Sequence, residues 1–184
     1  MPYNYRITGS GLNVTVTGAR DTSVQDINET LKGLDRLADG IQYQLFDAEK
    51  IAGPNHIYYA AVNADYAMRN GLNISNNLNV ETLLYAACEN QINKAIRLLG
   101  VSNKSETVAV AVFSEKVENR LSEDIAANLG TFDDSVLDIT PEKYESLKRL
   151  YGITETAIET VGSDKITALT SLIAEKGALL SLRR

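Results

Sequence analysis

The feature that most narrows the fold of this chain is the run Val108-Ala109-Val110-Ala111-Val112-Phe113, six apolar residues in a row. A short continuous apolar stretch of this kind is the signature of a strand covered on both faces, and so of the central strand of a sheet. The rest of the chain must then supply layers above and below it.

Helical periodicity is plentiful elsewhere. From Val24 the apolar residues Ile27, Leu31, Leu34 and Ala38 make one stripe that ends at Gly40. Pro54 opens a helix through Ile57 to Met68 that ends near Gly71. Asn79 is expected to cap a helix through Val80, Leu83, Leu84 and Ala87, and Asn90 another through Ile92, Ala95, Ile96 and Leu99. Val117, Leu121, Ile125 and Leu129 recur every four residues behind Ser114, and Thr140-Pro141 opens a helix through Tyr144, Leu147 and Tyr151. Thr154 and Ser163 are expected caps for the last two helices, the final one carrying Ile166, Leu169, Leu172 and Ile173 on one side.

Two further strands complete the sheet. Leu12, Val14 and Val16 alternate with Asn13, Thr15 and Thr17, the pattern of a strand with one wet face, entered through a Gly9-Ser10-Gly11 turn. Ile41, Tyr43 and Leu45 alternate with Gln42 and Gln44 before Phe46 and Asp47. Thr131 to Ile139 reads as a short acidic loop. The expected fold is α+β, a single domain over residues 1–184 with a small central β-sheet wrapped by seven or eight α-helices. At 184 residues and 44% apolar content, burial alone can hold such a domain, without disulfide or metal.

Several chemistries are disfavoured at once. His56 is the only histidine, which excludes every site needing two imidazoles, the HExxH zinc helix among them. A nucleophilic pair of Cys88 and His56, with a small pocket around it, stays arithmetically possible, but Ala86-Ala87-Cys88 places the thiol on an apolar helix face, where it packs as a hydrophobe. Asp133, Asp134 and Asp138 match no calcium-loop spacing. Gly9-Ser10-Gly11 lacks the Lys-Ser or Lys-Thr of a phosphate loop. No catalytic residue, cofactor or metal is expected. One cysteine, no apolar run of membrane-spanning length and no signal-like stretch in Met1-Pro2-Tyr3-Asn4-Tyr5-Arg6 give the expectation of a cytoplasmic protein with no membrane partner.

The net charge of −6 opposes contact with nucleic acid in general. Its distribution is uneven: residues 51–104 carry +1, and the remainder −7. Tyr58, Tyr59, Tyr66 and Tyr85 could stack on bases, although at helical spacing such rings more often serve cores or interfaces.

Within that segment the pattern becomes specific. Leu45-Phe46-Asp47-Ala48, Ile51-Ala52-Gly53-Pro54-Asn55-His56-Ile57, Ile74-Ser75, Val80-Glu81-Thr82-Leu83-Leu84-Tyr85-Ala86, Gln91-Ile92, Ala95-Ile96 and Leu99-Gly100-Val101 follow one another in a fixed order. Together they resemble the PRPK-binding accessory subunit family of the KEOPS complex, and the looser similarity runs from about Leu12 to Gly177-Ala178-Leu179-Leu180. The resemblance implies a non-enzymatic subunit that docks on a PRPK-type kinase/ATPase and binds the 3′ CCA end of tRNA, in support of threonylcarbamoyladenosine modification performed by another subunit. It places RNA contacts at Asn73, Ser75, Asn76, Asn77, Lys94 and Arg97, and kinase docking on the last helix through Leu169, Leu172 and Ile173. Family members commonly carry Arg or Lys after the Ile-Ser serine and before Gln-Ile. This chain has Asn76, Asn77, Glu89 and Asn90 there; Asn and Ser can still hydrogen-bond phosphate, sugar and base edges, with Arg69 and Lys104 as further cations, and the alternative these departures leave open is a purely protein-binding module without RNA affinity.

Overall fold

The protein was analysed as a computed structural model that describes residues 1–24, 26–162 and 164–183. Its strands are β1 (Tyr3–Arg6), β2 (Asn13–Arg20), β3 (Gln42–Asp47), β4 (Thr107–Ser114) and β5 (Thr131–Phe132). Among the described residues there are eight α-helices: α1 (Ile27–Ala38), α2 (Gly53–Arg69), α3 (Leu78–Ala87), α4 (Ile92–Leu99), α5 (Asn119–Leu129), α6 (Pro141–Tyr151), α7 (Glu155–Val161) and α8 (Lys165–Ala178). The class is α+β, as expected. No helix among the described residues is long and apolar enough to cross a membrane.

The sheet is antiparallel throughout, in the order β1-β2-β4-β3, with β5 pairing β2 beyond the end of β1. The apolar run of β4 is therefore interior, and its alternation assigns two cores. Ala109, Ala111 and Phe113 point into the larger one, with Ile57, Ala61, Leu84, Leu147, Leu169 and Ile173. Val108, Val110 and Val112 point into a second, closed by Leu34 and Ala38 of α1 and Ile125, Ala126 and Leu129 of α5. Alanine on the first face leaves room for the thicker helical layer, where Ala60, Ala61, Ala64 and Ala67 of α2 are all buried.

Helix ends follow local chemistry. Asp26 accepts from the Asn28 and Glu29 N–H groups at the start of α1, Thr140 from Lys143 N–H behind Pro141, Thr154 from Ala157 N–H, and Asp164 from Ile166 and Thr167 N–H. The expected Ser163 cap lies outside the described residues. Two expected caps are corrected. The helix assigned to Asn79 starts earlier, after Asn77, because the Asn79 side chain instead donates to Tyr43 O at 2.9 Å. Asn90 yields to Gln91 as the residue before α4, since Glu89 Oε1 accepts both the Asn90 and Gln91 N–H groups. Likewise α5 begins at Asn119, leaving Val117 exposed ahead of it.

The wet face expected for β2 is dry. Thr15 and Thr17 are 1% and 0% exposed. Thr15 Oγ1 accepts the Glu118 N–H at the head of α5 and donates to Asn4 of β1, a strand that sequence periodicity missed. Thr17 Oγ1 donates to Asp134 Oδ1 at 2.7 Å. The acidic loop is thus structural: it contains β5, and Leu137 within it is fully buried.

One buried polar junction joins the helical layer. His56 Nδ1 accepts the Ala52 N–H at 3.1 Å, which leaves the ring proton on Nε2 to be donated to Ala86 O at 3.1 Å. Tyr151 OH lies 3.2 Å from Ala86 O and 3.2 Å from Lys50 O. Its ring meets His56 edge-on with centroids 5.5 Å apart. Burial pushes His56 down to about 4, against the opposing effect of its bond to Ala86 and with a smaller push from Lys143. Nearby, α8 crosses α3 so closely that a Cβ on Gly177 would sit 2.7 Å from Tyr85 O.

Two outcomes follow from this packing. Gly177→Ala should destabilise the protein by about 1–3 kcal/mol in urea unfolding, because backbone oxygen cannot move aside as a flexible side chain would. For His56, the unfolded chain takes up a proton near pH 6.5 and the folded chain only near 4. The stabilisation is therefore complete above about pH 6.5 and is lost as pH falls towards 4, by about 3 kcal/mol in all. Unfolding free energies measured from pH 7 to pH 4 should show that loss, and His56→Gln should flatten it.

Candidate RNA and partner surfaces

The loop between α2 and α3 carries four of the six RNA candidates, and its shape depends on a residue outside that set. Glu81, 0% exposed in the first turn of α3, turns one carboxylate oxygen back on the loop, where it accepts the Ile74 N–H at 3.1 Å and the Ser75 N–H at 2.9 Å. Asn73 Nδ2 donates to Ser75 O, and Ser75 Oγ accepts the Asn77 N–H. Asn73 and Ser75 thus shape the loop from inside, Ser75 being 8% exposed. Asn76 and Asn77 remain exposed.

Asn77 stands at the rim of a groove of about 560 Å³ between α1, the edge strand β3 and the pair α3–α4. Ile27, Leu31, Ile41, Leu83, Ile96 and Val101 give it apolar walls, and Asp35, Gln42, Gln44 and Asn79 give it polar points. Two outward carbonyls of β3 are met by side-chain amides, Tyr43 O by Asn79 and Leu45 O by Gln44 Nε2 at 3.0 Å. Asn79 Oδ1 is buried and has no hydrogen-bond partner among the described residues. A buried acceptor in that condition is rare. The groove therefore combines an apolar slot, of the volume common to small-ligand sites, with a few polar side chains along it.

Lys94 and Arg97 are exposed on α4, the helix that contributes Ile96 to the groove. The other two cations stand differently. Lys104 is exposed in the connection to β4. Arg69 is ion-paired with the buried Asp65 at 2.9 Å and presses on the hairpin turn at Gly9. Glu81 and Asn79 went unrecognised as site-forming residues. The one available signal was that Glu81 is, after Asp65, only the second carboxylate between Ile51 and Cys88.

The kinase-docking triad on α8 is split by the fold. Leu169 and Ile173 are 0% and 1% exposed and belong to the larger core, so neither can meet a partner without unfolding the helix from its own layer. An apolar stripe reveals which face of a helix is covered, not what covers it, and here α2, α3, α6 and α7 do so. Leu172 is half-buried at the margin, and Ile166, six residues earlier, is 47% exposed.

The alternative pocket around Cys88 and His56 is not assembled. Cys88 is not on a helix face: it ends α3 in the left-handed conformation, φ 53°. It borders a cleft of about 160 Å³ with Leu98, Leu150, Tyr151 and Lys176, and His56 is not part of it. Both His56 nitrogens already hold backbone groups, which leaves no lone pair to receive a thiol proton.

No curated protein matches this chain in sequence. A protein-family model does, described as kinase binding protein CGI-121 and matched over residues 22–180, a span that takes in the groove, the Glu81-held loop and α8. With that match over most of its length, the chain belongs to the CGI-121 kinase-binding family.

Proposed function

We propose that this protein is a non-catalytic subunit of a KEOPS complex, docking on its PRPK-type kinase/ATPase and holding the 3′ CCA end of tRNA during threonylcarbamoyladenosine modification. The kinase-binding half rests on family membership. The RNA half rests on one observation, an apolar groove lined by the amides of Gln42, Gln44 and Asn79 and rimmed by the exposed Asn77. Exocyclic amines of cytosine and adenine are donors that side-chain amide oxygens accept, and apolar walls suit the faces of unstacked bases. Asn76, Lys94 and Arg97 are exposed close by in the chain and supply hydrogen bonds and charge for the backbone. Glu81 holds the loop in shape before any ligand arrives, which lowers the ordering cost of binding.

Affinity of the whole complex should drop when the CCA end is trimmed from tRNA, and Asn79→Leu or Asn77→Ala should narrow the difference between intact and trimmed tRNA. Equal affinity for the two RNAs in the unmodified complex would remove the tail-binding site.

For the kinase, the available surface of α8 is the margin carrying Leu172 and Ile166. Ile166→Glu should leave the melting temperature close to that of the parent while weakening kinase binding by about 2 kcal/mol, roughly 30-fold, whereas Leu172→Glu, at a side chain that also packs on the core, should lower both the melting temperature and the binding. Ile166 is exposed enough that its substitution cannot be confused with core damage. Undiminished pull-down with both variants would place the kinase elsewhere.

A further inference from the structure

The floor of the groove is the outer edge of β3, and its backbone is only half engaged. In an antiparallel strand the N–H and C=O of one residue leave on the same side. Tyr43 O and Leu45 O open on the groove, where they meet Asn79 Nδ2 and Gln44 Nε2. The N–H groups of Tyr43 and Leu45 therefore open there too, about 7 Å apart along the strand. Asn79 and Gln44 stand where the N–H donors of a neighbouring strand would stand, and Asn79 is held at its post by its own N–H to Gln42 Oε1 at 3.3 Å. The places that such a strand fills with its carbonyls are open. Nor does β3 carry the usual protections of an edge: its sequence, Gln42-Tyr43-Gln44-Leu45-Phe46-Asp47, has no lysine or proline, and its register on β4 runs without a bulge.

The walls suit the same occupant. α1 lies against one face of the sheet and α3–α4 against the other, and both line the groove beside β3. Successive side chains of a strand laid between them would point alternately to Ile27 and Leu31 on the α1 side and to Leu83 and Ile96 on the other. Among the residues that line the groove, Asp35 alone is charged. It stands exposed on α1 and accepts Tyr43 OH at 2.8 Å. The cations Lys94 and Arg97 belong to α4, on the opposite wall. An apolar strand with one cation on its α1 side complements this arrangement, and an acidic strand does not. A second copy of this chain could offer its own β3 only from between the same two walls, which would meet before the edges did.

We propose that the groove receives an extended peptide segment of a partner protein, which joins the sheet as a strand beside β3, turns apolar side chains to both walls and places a lysine or arginine against Asp35. Main-chain bonds to Tyr43 and Leu45 supply affinity, and the alternating side chains supply specificity. The peptide lies where the RNA tail is placed above, so each excludes the other; only this exclusion rests on the tail-site reading.

The probe is the blocked peptide acetyl-Ser-Val-Leu-Lys-Leu-Val-Ser-amide, titrated into the full chain and followed by amide hydrogen exchange. The Tyr43 and Leu45 amides should exchange about tenfold more slowly when free peptide reaches about ten times its Kd. Asp35→Asn should weaken binding about fivefold. Ile96→Glu, at a side chain that is 48% exposed, should weaken it on the order of tenfold with the fold unchanged. Asp35→Lys should reverse the charge preference and favour the analogue that carries glutamate in place of lysine. In the whole complex the peptide should lower affinity for intact tRNA and leave that for CCA-trimmed tRNA unchanged; peptide binding to the chain without this competition would support the strand site and remove the tail site. The proposal is overturned by absence of peptide binding, by binding that leaves exchange at Tyr43 and Leu45 unchanged, or by a lysine preference retained in folded Asp35→Lys. It is equally overturned if the two amides slow with protein concentration alone, which would assign the edge to a second copy.

Discussion

The two-sided burial of β4 is the constraint from which the rest of the fold follows. A strand buried on both faces cannot stand at the surface of a sheet, so β2 and β3 must flank it and helices must cover both sides. Its own alternation then sorts those helices. Valines at 108, 110 and 112 meet α1 and α5, while alanines at 109 and 111 leave depth for α2, α3, α6 and α8. That thicker layer is tied together by the carbonyl of Ala86, which receives both the His56 ring and the Tyr151 hydroxyl in a dry interior, where such bonds are costly to leave unmade.

This architecture governs what is left for binding. β3 ends the sheet, and its outer edge is only partly covered, by the amides of Asn79 and Gln44. Edge strands expose backbone groups that pair readily with other chains, and here they form the floor of the groove between α1 and α3–α4. Carboxylates follow a similar logic. Most of the acidic excess lies away from the segments 1–20 and 51–88, and the two acids within those segments hold a cation and a loop. A chain of net charge −6 can thereby present surfaces without negative charge.

Much of this was legible in advance. The β4 run, the helix stripes and the caps at Thr140 and Thr154 are local patterns, and they led to the right class and to nearly all the helices. The order of motifs from Leu45 to Val101 led to the family. Errors gathered where a polar side chain had two possible uses. Asn79 and Asn90 have the chemistry of caps, yet one bridges to β3 and the other follows Glu89. Thr15 and Thr17 have the alternation of a solvated face, yet they bond Asn4, Glu118 and Asp134 from elements remote in sequence. The strand β1, which Thr15 helps to hold, alternates Tyr3 and Tyr5 with Asn4 and Arg6, a two-residue period only four residues long and carried by tyrosines, too short to announce a strand by itself.

The division has one physical reason. Sequence by itself determined the period of each segment and the side that must be hidden from water, since both depend on residues a few places apart. It also determined the scarcity of acid along β1, α2 and the loop beyond. What covers each hidden side is a long-range matter, and only the tertiary structure decided it. Leu169 and Ile173 are closed off by the protein's own helices while Leu172 stays at the margin. Asn73 and Ser75 are turned inward while Asn76 and Asn77 are left to solvent. Tyr5 meets Tyr58 across a separation of 53 residues because the first hairpin folds back on α2.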